Sequence, residues 1–144
     1  MKKLIEILIV DDNPADVDMT RRALSQNKIS NNVSSVNDGV EAMAYLRQEG
    51  NYKGSPRPSV ILLDLNMPRK NGHEVLAELK QDSDLCRIPV VILTTSREEE
   101  DIAQSYLQQA SCYIAKPVDL NQFFKVVEAV EHFWVEIVEL PNVK

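Results

Sequence analysis

A chain of 144 residues, 44% hydrophobic and 26% charged, fits one compact domain able to bury about two thirds of its unfolded surface. Its 16 basic and 22 acidic residues give a net charge of -6, which argues against sequence-independent nucleic-acid binding and against an anionic membrane surface. Two cysteines, Cys86 and Cys112, with no CxxC spacing, exclude a disulfide scaffold.

The start, Met1-Lys2-Lys3-Leu4-Ile5-Glu6, carries a basic pair, but Glu6 and Asp11-Asp12 interrupt any signal-peptide pattern. No apolar run reaches the length of a membrane span, so a soluble, cytoplasmic protein is expected. The first strand is predicted over Leu4–Val10 and runs into Asp11-Asp12. Asn13-Pro14 then opens a helix with proline at the first helical position. A second strand over Val33–Val36 contains Ser34-Ser35, which places it at a sheet edge. Asp38-Gly39-Val40-Glu41 follows, a capping side chain three residues before a glutamate that can reach back. Residues Glu49 to Ser59, with two glycines and two prolines, form the one sizeable loop predicted.

The third strand, Val60–Leu63, leads into Asp64-Leu65-Asn66-Met67-Pro68, and Asn71-Gly72-His73-Glu74 starts the next helix. The fourth, Val90–Leu93, leads into Thr94-Thr95-Ser96, with Ser96 and Glu99 spaced to cap another helix. That helix carries Ile102, Ala103, Tyr106, Leu107 and Ala110 on one stripe. The fifth strand, Cys112–Ala115, makes Cys112 a buried thiol and is followed by Lys116-Pro117, whereas Cys86 is a surface or boundary residue. Asp119 to Gln122 caps the last helix. Three of the strand runs are nearly continuous in apolar residues, as strands covered on both faces are. Strand–helix alternation five times over implies a doubly wound five-stranded parallel α/β sheet with helices on both faces.

In such a sheet ligands bind beyond the carboxyl ends of the strands. Asp11, Asp12 and Asp64 all fall there, and carboxylates so placed repel one another. A hard divalent cation such as Mg²⁺ would resolve the repulsion. One carboxylate could then act as a nucleophile toward a phosphoryl group. The product's charge calls for an ammonium and a hydroxyl, and Lys116 and Thr94 end the neighbouring strands.

These pieces together resemble a response-regulator receiver domain of the CheY-like family over essentially the whole chain. They are Ile9 to Asn13, Leu62 to Pro68, Asn71-Gly72, Ile88 to Thr94 and Tyr113 to Pro117. The resemblance implies strand order 2-1-3-4-5 and a phosphoryl group passed to Asp64 from a phosphohistidine of a sensor histidine kinase. It implies Asp12, Asp64 and the Asn66 carbonyl as magnesium ligands, with Asp11 acting through a metal-bound water. Lys116 and Thr94 would contact the phosphoryl group, and Thr94 with Tyr113 would form the switch. The surface read by a partner would then be that of residues 98–110, the fifth strand and the last helix.

The last helix is apolar around much of its circumference, through Phe123, Phe124, Phe133, Trp134, Ile137 and Val138. A homodimer through this segment is expected. Residues 131–144 are expected to extend the last helix beyond the generic receiver, so a single receiver domain over 1–144 with no separate output domain is expected. The Phe133-Trp134 ending and the Ser55-Pro56-Arg57-Pro58 loop resemble the single-domain regulators of cyanobacterial phytochrome kinases. His73, following Asn71-Gly72 at a helix start, is expected exposed on a first helical turn instead of serving a metal or phosphorelay, and His132 has no ligand-spaced partner. A haloacid-dehalogenase-type aspartyl-phosphate hydrolase wants a second aspartate two residues after the first as general acid, and that position is Asn66. A receiver-like adaptor without the chemistry would be expected to have lost the acceptor or metal carboxylates. A flavin domain would not run its first strand into Asp11-Asp12.

Overall fold

The computed structural model describes residues 5–25, 31–65, 67, 69–94 and 112–115. Five parallel strands lie in the order β2-β1-β3-β4-β5: β1 (Ile5–Val10), β2 (Asn31–Val36), β3 (Val60–Asp64), β4 (Val90–Thr94) and β5 (Cys112–Ala115). Among the described residues three helices connect them: α1 (Pro14–Ser25), α2 (Gly39–Leu46) and α3 (Gly72–Gln81). The helix starts expected at Ser96 and Asp119, and the extension 131–144, lie outside the described residues.

Alternation along each strand divides the core in two. Leu8, Val10, Ile61, Leu63 and Ile92 face one way and pack with Ala42 and Met43 of α2 and Val75, Leu76 and Leu79 of α3. Ile7, Ile9, Leu62, Val91 and Leu93 face the other way and pack with Leu24 and Val17 of α1. Since both faces are covered, every residue of β3 is buried, Asp64 included. This is why the strand reads as a continuous apolar run that ends in a carboxylate.

β2 is one of the two edge strands, as its two serines foreshadowed. The Val36 carbonyl turns inward to accept from the Asp11 amide at 3.1 Å. The Val33 carbonyl, of opposite parity, turns outward and accepts from Arg21 Nη1 at 3.1 Å, while Arg21 Nη2 donates to Ser35 Oγ at 3.1 Å.

The helix starts follow the sequence signals with one difference. Asn13 Oδ1 accepts from the amides of Ala15 and Asp16 at 2.9 and 3.2 Å. Asn71 and Glu74 form the reciprocal capping box. Asp38 caps α2 through the Glu41 amide at 2.9 Å, but the Glu41 carboxylate does not reach back. It accepts from the Tyr52 hydroxyl and pairs with Arg69 instead, because stronger donors stand beside it.

The loop between α2 and β3 contains a 3₁₀ turn (Gly50–Tyr52) and is pinned to α2. The Tyr45 and Tyr52 rings stand 5.4 Å apart, and Ser55 Oγ donates to the Tyr45 carbonyl at 2.9 Å. A second 3₁₀ turn (Leu85–Arg87) precedes β4, launched by Asp82 Oδ1 accepting from the Asp84 and Leu85 amides at 2.9 Å each. Cys86 on that turn is exposed, as expected. His73 is half-buried rather than exposed, since the first turn of α3 lies close against the end of β3.

That closeness requires glycine. A Cβ at Gly72 would stand 2.6 Å from the Asp64 carbonyl oxygen and 2.7 Å from Leu65 Cα, and both are backbone atoms that cannot turn aside. Gly72→Ala is therefore expected to destabilise the protein by about 1–3 kcal/mol, as overpacked sites do, when measured by chemical denaturation. Wild-type stability in that variant would show that the contact is slack.

Candidate functional site

β1 and β3 are separated in sequence by β2 and α2 yet lie side by side, with Val10 opposite Leu63. One step further along both strands stand Asp11 and Asp64. Asp12 follows in the short turn into α1, which begins at Pro14. The turn is stiffened by Asp11 Oδ1, which accepts from the Asn13 amide at 3.0 Å. As a result one carboxylate oxygen from each of Asp11, Asp12 and Asp64 lies within 4.8 Å of the other two.

Burial makes this cluster energetic. Asp11 and Asp64 are 1% and 4% exposed, whereas Asp12 faces solvent. Two unit charges at such a separation repel by on the order of 3 kcal/mol at the effective dielectric typical of protein sites. Three hard oxygen donors in this space suit a small divalent cation of the magnesium or manganese kind, which would turn the repulsion into attraction. The exposed Asp12 leaves one side of the cluster open to water and to an incoming ligand.

The other expected residues divide as follows. Leu93 of β4 pairs with Asp64, and Thr94 ends β4 one step beyond, paired with Ala115 of β5. The backbone of Tyr113 lies in β5 opposite Ile92. The side chains of Thr94 and Tyr113, together with Asn66 and Lys116, lie outside the described residues. So the three carboxylates are brought together, and Thr94 is placed on the adjoining strand end.

Sequence reasoning missed the clamp on the far side of Asp64. Arg69, in the turn between β3 and α3, has a positive φ of 64°. Its Nε donates to Asp38 Oδ2 at 2.9 Å, its Nη2 lies 2.9 Å from the same oxygen, and Nη2 reaches Glu41 Oε2 at 3.4 Å. Burial opposes ionisation of Asp38, but the Arg69 guanidinium and the Glu41 amide outweigh it and hold the carboxyl below the usual aspartate range. On the other oxygen of Glu41, the Tyr52 hydroxyl donates at 2.5 Å. That hydrogen bond, with burial and the nearby carboxylates, pushes the Tyr52 phenol up to about 12. The spacing Asp38–Glu41 was visible in the sequence, but it signals a capping box, and nothing local tells that an arginine 28 residues away takes the glutamate.

The family profile described as the response regulator receiver domain matches residues 7–128. Response regulator Rcp1 of Synechocystis sp. (strain PCC 6803) is 49% identical over 135 residues, 94% of this chain and 92% of its own length. Among solved structures, the phosphorylated cyanobacterial phytochrome response regulator RcpA is 48% identical with a TM-score of 0.75, covering 94% of this chain and 97% of that one. The Mn²⁺-bound form of response regulator Rcp1 is 48% identical with a TM-score of 0.73, covering 93% of this chain and 96% of that one. With the strand order and acidic cluster above, these matches identify the chain as a member of the response-regulator receiver family of two-component signalling. Receiver domains of this kind are phosphoryl acceptors that partner with sensor histidine kinases and hold a divalent cation at an acidic pocket. Among the described residues no helix is long and apolar enough to cross a membrane.

The charge argument predicts opposite signs in two conditions. In EDTA, Asp12→Asn removes one like charge from the cluster and is expected to melt higher than wild type. With saturating magnesium the wild type gains more from binding, so the order narrows or reverses. Melting curves in both conditions test this, and a variant less stable than wild type in EDTA would refute it.

Proposed function

We propose that Asp64 accepts a phosphoryl group from a phosphohistidine of a sensor kinase, beside Mg²⁺ held by Asp12, Asp64 and the Asn66 carbonyl, with Asp11 acting through a metal-bound water. The observation that carries this is the convergence of three carboxylates, two of them buried, at the ends of adjacent strands. In its carboxylate form, which a bound cation would favour, Asp64 would need no base to act as the nucleophile. One of its oxygens forms the new bond to phosphorus while the phosphorus–nitrogen bond breaks and the imidazole leaves with the electron pair. Bound Mg²⁺ would supply positive charge to the transferring phosphoryl oxygens.

Lys116 would take the remaining phosphoryl charge as an ammonium donor, and Thr94, ending the strand beside β3, would donate its hydroxyl. Phosphorylation adds roughly -1.5 to -2 charge at neutral pH. Drawing Thr94 and Lys116 toward it would bias the switch at Tyr113 and the face made by residues 98–115 and the last helix. Asn66 in place of a second acid supports a switch that holds its phosphoryl group over a hydrolase. In this reading the chain is no enzyme beyond slow self-dephosphorylation. The similarity to Rcp1 and RcpA supports a kinase of the phytochrome class as donor, and hence light signalling. The apolar end of the chain supports a homodimer.

Incubation with acetyl phosphate and magnesium should add the mass of one phosphoryl group to the wild type and none to Asp64→Asn. Wild type that gains nothing by intact mass spectrometry would overturn the assignment. For the assembly, sedimentation should give a dimer in at least one phosphorylation state, and a monomer in both would exclude it at the concentrations used.

A further inference from the structure

We infer that Arg69 is a positioning residue for the Asp64 site, locking the segment that follows the acceptor onto the start of α2. The inference rests on the reading of Asp64 given above. A φ of 64° is a conformation that bulky L-residues avoid, so something must hold the Arg69 backbone there. The holding contacts run from its side chain to a buried carboxylate: Arg69 is half-exposed, but Asp38 is only 6% exposed. Next to it the Lys70 carbonyl accepts from the Gly39 amide at 2.9 Å. The two turns meet so closely there that a Cβ on Gly39 would lie 2.3 Å from that oxygen.

Asp38 performs two tasks with two oxygens. Oδ1 caps α2 through the Glu41 amide, and Oδ2 receives Arg69. The turn is also tied at its ends, because the Gly72 amide donates to the Leu65 carbonyl at 3.0 Å. Leu65 is the neighbour of Asp64, so the direction in which the acceptor carboxylate leaves β3 is set partly by groups outside the acidic cluster. Glu41 carries the lock onward to Tyr52 in the loop before β3. The clamp acts on the acceptor through the backbone, one step further out than groups bonded directly to a metal ligand, whose loss weakens binding about 10–100-fold.

Magnesium affinity by isothermal titration calorimetry, with phosphorylation by acetyl phosphate alongside, separates this role from a general structural one. Arg69→Gly removes the clamp while glycine keeps the positive φ without strain. Asp38→Ser removes the clamp while serine keeps the helix cap. Each is expected to weaken magnesium binding roughly tenfold with unchanged far-UV circular dichroism, the scale seen for outer supports of metal sites. The double variant should be no worse than Arg69→Gly alone, because the contact that Asp38→Ser removes is already gone there. Arg69→Lys should restore part of the loss. If wild type binds magnesium and is phosphorylated but Arg69→Gly binds it equally well, the positioning role is wrong and the reading of Asp64 stands. Wild type that binds no magnesium overturns the reading of Asp64 itself. Should Arg69→Gly lose its fold, Asp38→Ser decides by the same affinity measurement.

Discussion

The neighbouring placement of β1 and β3 is what turns separate acids into a site. The chain makes β1, steps outward to make β2 at the edge, then crosses back so that β3 lies on the other side of β1. Helices on either side of that reversal are carried away from it, which leaves a crevice above the two strand ends. The register then matters at the level of one residue. With Ile7 opposite Val60 and Val10 opposite Leu63, the first polar residue after each apolar run arrives at the same height. A slip of one would send one of the carboxylates to the opposite face of the sheet.

Around this point the protein uses glycine and one arginine to bring loops close without side chains in the way. Gly72 lets α3 begin against the Asp64 peptide, and Gly39 lets α2 begin against the Lys70 carbonyl. Arg69 then joins the two turns through Asp38. The acidic site is thus held on its α1 side by the short Asp11–Asn13 turn and on its α3 side by this clamp.

Much of this was legible because it depends on local rules. Continuous apolar runs, Asn13-Pro14, Asp38 and Asn71 each specify a strand or helix start within a residue or two. The carboxylates were found because a strand that ends in acid is unusual next to another that does the same. What escaped depends on partners distant in sequence. Glu41 has the right spacing for a capping box, but whether it bonds its own helix or Arg69 is decided by tertiary placement. His73 was misjudged because its burial depends on how tightly Gly72 lets α3 approach β3, not on its position in a first turn. The 3₁₀ turn at Leu85–Arg87 follows from Asp82 accepting two amides, a signal present in Asp82-Ser83-Asp84 but overshadowed by the strand after it.

The guanidinium of Arg21 over β2 has a consequence for how the molecule can associate. A sheet edge with open carbonyls is a template on which a strand from another chain can add, and repeated addition leads to fibres. Here the outward carbonyl of Val33 and the hydroxyl of Ser35 are already taken by a long cationic side chain from α1. A foreign strand approaching that edge would have to displace the arginine and accept a charge in its path. The β2 edge is thereby guarded against growth of the sheet, and a second copy would meet side-chain surfaces there instead of open backbone.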